Sequence, residues 1–291
     1  MSERRIIVLG STGMLGHTLL NTLSSNGAYE CLGSYRRNED QWRLQKLFPN
    51  AKFVPLLELN YPSLVACLNE CRADTIINCI GFIKQKESQG SVAEMYNVNS
   101  LFPHIVARAA ASVSASVIHF STDCVYSGAI GNYSERDIPD PIDLYGMSKL
   151  YGELHYPGTL TLRTSIIGHE LFGGSNGLLE WFLCQKGTVK GFTNAIFSGL
   201  TTNALSRFIL DYILPERSIH GLYHISSTPI AKYDLLKMIS NVYQTDSSIV
   251  PSSEPSLNRS LDSTKLSTLT GYRPPSWADM LHEMFSSKYN D

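Results

Sequence analysis

The chain has 291 residues, 43% of them hydrophobic and 17% charged, which suits a folded protein and excludes a disordered one. A formal net charge of −2 leaves no basic surplus, so no nucleic-acid partner is expected and an anionic ligand must be held by a few placed groups. No apolar run approaches a membrane span, and the one in MSERRIIVLG is too short for a signal peptide, so no membrane partner is expected either.

Residues 5–9 (RIIVL) predict a buried strand, followed by a glycine turn over Gly10–Gly16 and a helix that stops at Asn26-Gly27. Residues 29–35 (YECLGSY) predict a second strand, ending at the basic pair Arg36-Arg37, and 52–57 a third. A helix over 62–71 and a strand over 74–81 follow, then one long helix over 91–111 and a strand over 116–122. A loop rich in Pro, Asp and Gly covers 127–143, a helix begins near Leu144, and 159–167 (TLTLRTSII) predict a sixth strand. Strand and helix alternate and the strands are continuous apolar runs, which predicts an α/β fold with a doubly wound parallel (Rossmann) sheet. After about residue 168 the alternation weakens. Helices over 177–185, 204–213, 232–243 and 277–285 mix with strands over 188–192 and 221–226, read as a smaller C-terminal α/β lobe over the crevice. The expected division is a cofactor-binding domain at 1–168 and a substrate lobe at 169–291, the chain crossing between them.

The glycine turn reads Gly10-Ser11-Thr12-Gly13-Met14-Leu15-Gly16, between a strand and a helix as a dinucleotide motif requires. Gly10 permits the tight turn, Gly13 clears the approach of a pyrophosphate, and Gly16 lets the helix pack on the strand; free N–H groups and the positive helix end face the phosphates. An acid at the end of the second strand would bind a ribose 2′-hydroxyl; here Arg36 and Arg37 match a 2′-phosphate, which predicts NADP(H). Two solvated arginines are the plainer alternative. Tyr145 and Lys149 stand four apart at a helix start, on one face, where the ammonium is expected to lower the phenol's pKa and let it pass a proton to a carbonyl oxygen. Upstream, Thr122 ends a strand with its hydroxyl expected in the crevice, although a turn-capping role is the alternative.

These residues closely resemble the extended short-chain dehydrogenases, and within them the dTDP-4-dehydrorhamnose reductase group. The resemblance spans nearly the whole chain. It is carried by the glycine motif, by Ser121-Thr122-Asp123-Cys124-Val125-Tyr126, by Tyr145-Gly146-Met147-Ser148-Lys149 with Gly152-Glu153, by Leu162-Arg163-Thr164-Ser165 and by Asn258-Arg259-Ser260-Leu261-Asp262. It implies Thr122, Tyr145 and Lys149 as the catalytic set. Asn99, Cys79, Ile80, Gly81 and Ser121 would border the cofactor beside Thr12, Met14 and Leu15. Lys84, Asp123, Cys124 and Arg259 would meet the substrate, Arg259 at its diphosphate. Related 4,6-dehydratases carry Glu where this chain has Cys124, and a thiol cannot replace that acid. Epimerases usually carry Ser-Ser or Ser-Ala at Thr122-Asp123. The expectation is an NADPH-dependent reductase of a nucleotide-linked 4-keto sugar, for polysaccharide precursors. A sugar-nucleotide epimerase remains an alternative, as does a regulatory subunit like that of methionine adenosyltransferase, which keeps the fold and cofactor. The loop at 81–86 departs from the rhamnose-pathway pattern, which leaves the sugar open. Relatives form dimers, so a homodimer is compatible.

The six cysteines (Cys31, Cys67, Cys71, Cys79, Cys124 and Cys184) form no CxxC pair and no zinc-like set. Reduced thiols are expected, and with them a cytoplasmic setting. The eight histidines are scattered, so no metal site is expected.

Overall fold

The computed structural model describes residues 4–83, 91–172, 176–216 and 218–287. The first half alternates as expected: β1 (Arg4–Leu9), α1 (Met14–Asn26), β2 (Tyr29–Tyr35), α2 (Asn38–Leu47), β3 (Lys52–Pro55), α3 (Tyr61–Cys71) and β4 (Thr75–Asn78). Then come α4 (Val92–Tyr96), a π turn (Asn97–Leu101), α5 (Phe102–Ser112), β5 (Ser116–Thr122), α6 (Leu144–Tyr151) and β6 (Thr159–Thr164). The second half contains β7 (Ile166–Ile167), α7 (Leu178–Leu183), β8 (Thr188–Phe192), β9 (Ala195–Phe197), β10 (Leu200–Thr201) and α8 (Thr202–Phe208). After these come β11 (Gly221–His224), β12 (Ile230–Ala231), α9 (Lys232–Tyr243), β13 (Ser248–Ser252), β14 (Leu257–Asn258), α10 (Thr264–Thr270) and α11 (Trp277–Ser286).

Seven parallel strands in the order β3-β2-β1-β4-β5-β6-β11 form the main sheet. This is the doubly wound order, whose reversal between β1 and β4 opens a crevice at the carboxyl ends of the strands. Successive residues of β1 serve opposite cores. Ile6 and Val8 pack with Leu15, Leu19 and Leu23 of α1, while Ile7 and Leu9 pack with Leu64 and Leu68 of α3 and Phe102 and Val106 of α5. The sheet is therefore buried on both faces, as the unbroken apolar strands require.

Several elements differ from the sequence expectation for identifiable reasons. Helix α1 starts at Met14, which places Gly16 inside its first turn. Helix α2 was not expected, because only Asp40 and Leu44 of its ten residues are buried and no apolar stripe marks it. The helix expected over 91–111 carries a π turn that re-aims Asn99. The strand expected over 159–167 ends at Thr164; the chain leaves the sheet at Ser165, and Ile166–Ile167 pairs with β10 instead. The strand expected over 221–226 is the seventh strand of the main sheet, so the second half supplies part of the first half's framework. The polar stretch around 245–256 becomes β13, paired in parallel with β8.

Candidate active site

Gly10 has φ 80°, the left-handed region that favours glycine, and a side chain on it would press on Ile80 at 2.9 Å. A Cβ on Gly16 would fall on the Gly10 carbonyl, so the turn closes only over glycine. Gly13 is different: it is exposed, and an added Cβ would meet nothing nearer than the Gly10 carbonyl at 3.4 Å. The chain's own packing leaves room there. Gly13 is also the N-cap of α1, with no side-chain capping bond, so the first-turn N–H groups are offered outward. Thr12 and Met14 are half-buried at this end, whereas the Leu15 side chain is in the core and only its backbone can meet a ligand. Two hydrogen bonds tie the turn to the end of β2: Gly10 N–H to Ser34 Oγ at 3.0 Å, and Ser11 Oγ to Ser34 O at 2.7 Å. The turn therefore fits the pyrophosphate of a dinucleotide.

Beyond β2 the two arginines separate in role. Arg37 donates from Nε and Nη2 to the Asp40 carboxylate at 3.0 and 2.9 Å and meets Glu39 at 3.1 Å. Its fork braces the first turn of α2. Arg36 is exposed and forms no ion pair among the described residues, so it is the better placed of the two to receive a phosphate.

At the end of β4, Cys79 is half-buried and its thiol is pushed up by burial, hence protonated. Ile80 N–H donates to Asn78 Oδ1 at 3.2 Å, and Gly81 would place a Cβ 3.6 Å from Asn99 Oδ1. Asn99 is fully buried; its Oδ1 accepts from Phe82 N–H at 2.7 Å, and its Nδ2 donates to Phe82 O and Ser148 Oγ, both at 3.0 Å. The side chain thus clamps the loop after β4 to α6, and the π turn puts it in reach of both. Lys84 lies outside the described residues.

Helix α6 presents the catalytic candidates. Asp143 caps it, accepting from Gly146 N–H at 2.7 Å. A Cβ on Gly146 would fall on the Cys124 carbonyl, and one on Gly152 on the Asn99 carbonyl, so both glycines let the helix seat on its neighbours. Tyr145 is half-buried with its phenol beside Thr122, whose Oγ1 accepts from Cys124 N–H at 3.1 Å and donates to Asp123 Oδ1 at 3.2 Å. Thr122 therefore both caps the turn after β5 and meets the phenol. Lys149 is buried, donates from Nζ to the Phe120 carbonyl at 2.6 Å, and is driven down to about 8 by burial.

One expectation is corrected here. Burial raises the phenol of Tyr145, aided by Cys124 and by the Asp123 and Asp143 carboxylates, and the Lys149 ammonium, turned toward Phe120, does not offset it. Tyr145 therefore starts fully protonated at neutral pH.

Arg259 is 7% exposed and sits beside Cys124 and α6: Nη1 lies 3.2 Å from Cys124 Sγ and Nη2 3.9 Å from Asp143 Oδ2, while Nε has no partner among the described residues. Burial raises Asp123, and Arg259 and Lys232 oppose that shift. The Ser121 hydroxyl donates to Glu153 at 2.6 Å and supports the site from beneath. Asp143, Ser34 and Lys232 take roles that no expectation assigned them, and Ser148 was named only as part of the Tyr145–Lys149 motif. An Asp three residues before Gly146 at a helix start is a capping signal that could have found Asp143; the others have no local signature.

The reversed sheet order, the glycine turn and the Tyr145–Lys149 pair beside Thr122 define an extended short-chain dehydrogenase/reductase. The chain belongs to the family described as the RmlD substrate binding domain, whose model matches residues 4–290. Among its relatives is the dTDP-4-dehydrorhamnose reductase of Aggregatibacter actinomycetemcomitans, 26% identical, covering 94% of this chain and 95% of that one. Methionine adenosyltransferase 2 subunit beta of Rattus norvegicus is also 26% identical, covering 94% of this chain and 85% of its own. The crystal structure of dTDP-4-dehydrorhamnose reductase from Bacillus anthracis in complex with NADP superposes with a TM-score of 0.77 at 23% identity, over 98% of this chain and 100% of that one. Among the described residues no helix is long and apolar enough to cross a membrane.

Proposed function

We propose that the protein is an NADPH-dependent reductase of a nucleotide-linked 4-keto-6-deoxy sugar, resembling dTDP-4-dehydrorhamnose reductase and supplying polysaccharide precursors. The carrying observation is the convergence of Thr122, Tyr145 and Lys149 at the strand ends, on the sheet that bears the glycine turn. On this reading residues 1–168 hold the cofactor and 169–291 cover the substrate, with β11 returning to the shared sheet.

Bound NADPH supplies a hydride to the keto carbon. Tyr145 holds the proton that the carbonyl oxygen needs, and Thr122 orients that oxygen beside the phenol. A phenol raised by burial keeps its proton until negative charge develops on the oxygen. Lys149, anchored on Phe120, contributes a fixed positive charge beneath the site. Arg259, with its Nε uncommitted, meets the diphosphate of the substrate, and Asn99 keeps the loop after β4 in place.

Purified protein with NADPH and a panel of nucleotide-linked 4-keto sugars tests the proposal. Oxidation of NADPH with at least one of them supports it. No oxidation across the panel, with a methionine adenosyltransferase catalytic chain co-purifying, replaces it with the non-catalytic reading that the equally similar subunit beta relatives favour.

Two further results are expected. Arg36→Ala weakens NADPH about 10-fold or more while leaving NADH nearly unchanged, since one phosphate contact of about 1.5–3 kcal/mol is lost; Arg37→Ala costs less selectivity, because its guanidinium braces Asp40. Isothermal titration with both cofactors checks this, and equal losses for the two would remove the arginines from phosphate recognition. As for pH, the Lys149 ammonium is the dominant form below about 8 and is lost above it. kcat/KM therefore falls as pH rises through that value, and a flat profile to pH 10 contradicts the role given to Lys149.

A further inference from the structure

Beneath the catalytic candidates lies a buried polar network that the mechanism above does not use. Glu153 follows the C-cap Gly152 of α6 and is 4% exposed, as is Arg163 on β6. Arg163 grips Glu153 with two parallel bonds, Nε to Oε1 and Nη2 to Oε2, each 2.7 Å. The same Oε1 accepts from Ser121 Oγ at 2.6 Å, and Ser121 is the direct strand partner of Arg163. Arg163 also donates from Nη1 to the Tyr126 hydroxyl at 2.7 Å; that hydroxyl donates to Ser134 O at 3.0 Å, while Tyr126 stacks on Tyr133 with ring centres 4.2 Å apart. The carboxylate is thus held by three bonds from two residues, one on β5 and one on β6, and cannot move independently of either strand.

Three residues spaced four apart along this segment grip three consecutive residues of β5. Tyr145 meets the Thr122 side chain, Lys149 the Phe120 carbonyl, and Glu153 the Ser121 hydroxyl. The first two are the catalytic candidates, and the third is the one anchored by an ion pair. We propose that Glu153, fixed by Arg163, is a positioning residue for that pair: it locks the end of α6 onto β5 and places a buried negative charge one turn from Lys149. The inference rests on the reading of Lys149 as part of the catalytic set.

The other groups facing Lys149 do not supply that charge. Cys79, just past β4, is raised by burial and stays neutral. His119, from β5, is held well below its usual value by burial and is neutral as well. Tyr145, on α6, keeps its proton. Arg163, from β6, is positive and lies behind Glu153. Glu153 opposes the burial that drives Lys149 down, so removing its charge lets Lys149 lose its proton at lower pH.

The titration of Lys149, followed by NMR of protein carrying lysine labelled with carbon-13 at the ε position, tests this without any substrate. Its signal is assigned by its loss in Lys149→Arg. The wild-type midpoint is expected near 8. Glu153→Gln lowers it by about one pH unit or more, and Glu153→Asp, which keeps the charge, recovers most of the shift. Because Glu153→Gln leaves Arg163 buried and uncompensated, which costs about 3–5 kcal/mol, the neutral pair Glu153→Gln/Arg163→Met provides a second background; it too lowers the midpoint. An unchanged midpoint in the folded double variant, or equal shifts for Glu153→Asp and Glu153→Gln, overturns the proposal. The titration stands apart from the keto-sugar assay: a shifted midpoint without turnover would sink the reductase reading and leave the coupling of Glu153 to Lys149 standing without a catalytic pair to position, whereas turnover without a shift would sink the coupling alone.

Discussion

Tyr145→Phe is expected to bind NADPH within about twofold of the wild type and to lose turnover by roughly 10²–10⁴-fold, the usual contribution of a positioned acid. The ring is half-buried against the strand end, and phenylalanine keeps its volume, so the fold and the glycine turn are untouched. Only the O–H that meets Thr122 is lost. The groups beside it are turned to other partners, the Asp123 carboxyl accepting from Thr122 at 3.2 Å. Cys124 is adjacent and its sulfur accepts from Arg259, but a thiol is a poor general acid in place of the phenol. The Lys149 ammonium is directed at Phe120 O instead of the crevice. Fluorescence titration of NADPH with steady-state kinetics checks both halves, and undiminished turnover would remove Tyr145 from the acid role.

Gly16→Ala and Gly13→Ala should separate folding from cofactor binding. At Gly16 the added methyl would land on the Gly10 carbonyl, a backbone atom that cannot swing aside. The turn must open and the first turn of α1 must shift, at about 1–3 kcal/mol of stability. The displaced N–H groups no longer converge on the phosphates, so cofactor affinity also falls. At Gly13 the nearest atom is 3.4 Å away, so the fold accepts the methyl and Tm stays near the wild-type value. The methyl nevertheless projects on the exposed side of the helix end, and NADPH affinity is expected to drop by about 10-fold or more. Thermal unfolding and calorimetric titration of the two variants check the pair. If Gly13→Ala bound NADPH normally, the pyrophosphate would not lie over this turn.

Much of the framework was legible because local and tertiary preferences agree there. The apolar strands β1, β2 and β5 and the αL stop at Gly27 follow from periodicity and glycine chemistry. The catalytic spacing was legible for the same reason, since four residues make one helical turn. Other features were not. Helix α2 has a polar composition and reaches the core only through Leu44 and the partly buried Leu47. Strand β13 exists because β8 offers it a partner. The raised phenol of Tyr145 depends on desolvation by residues distant in sequence, which spacing cannot express; spacing suggested the opposite sign. Likewise Arg37 looked equal to Arg36 until α2 brought Asp40 beneath it. The ion pair of Glu153 with Arg163 joins two motif residues whose relation appears only when β6 lies beside β5.

The central claim is that the Tyr145 phenol and the Thr122 hydroxyl meet one substrate carbonyl, with the Lys149 charge fixed beneath them on the sheet that bears the glycine turn. Single-turnover reaction of NADPH deuterated at its transferable position with a nucleotide-linked 4-keto sugar tests it most directly. The account predicts a product one mass unit heavier, with the label on the former keto carbon, formed by the wild type and not by Tyr145→Phe. Bound NADPH that delivers no label to any sugar of the panel would contradict it.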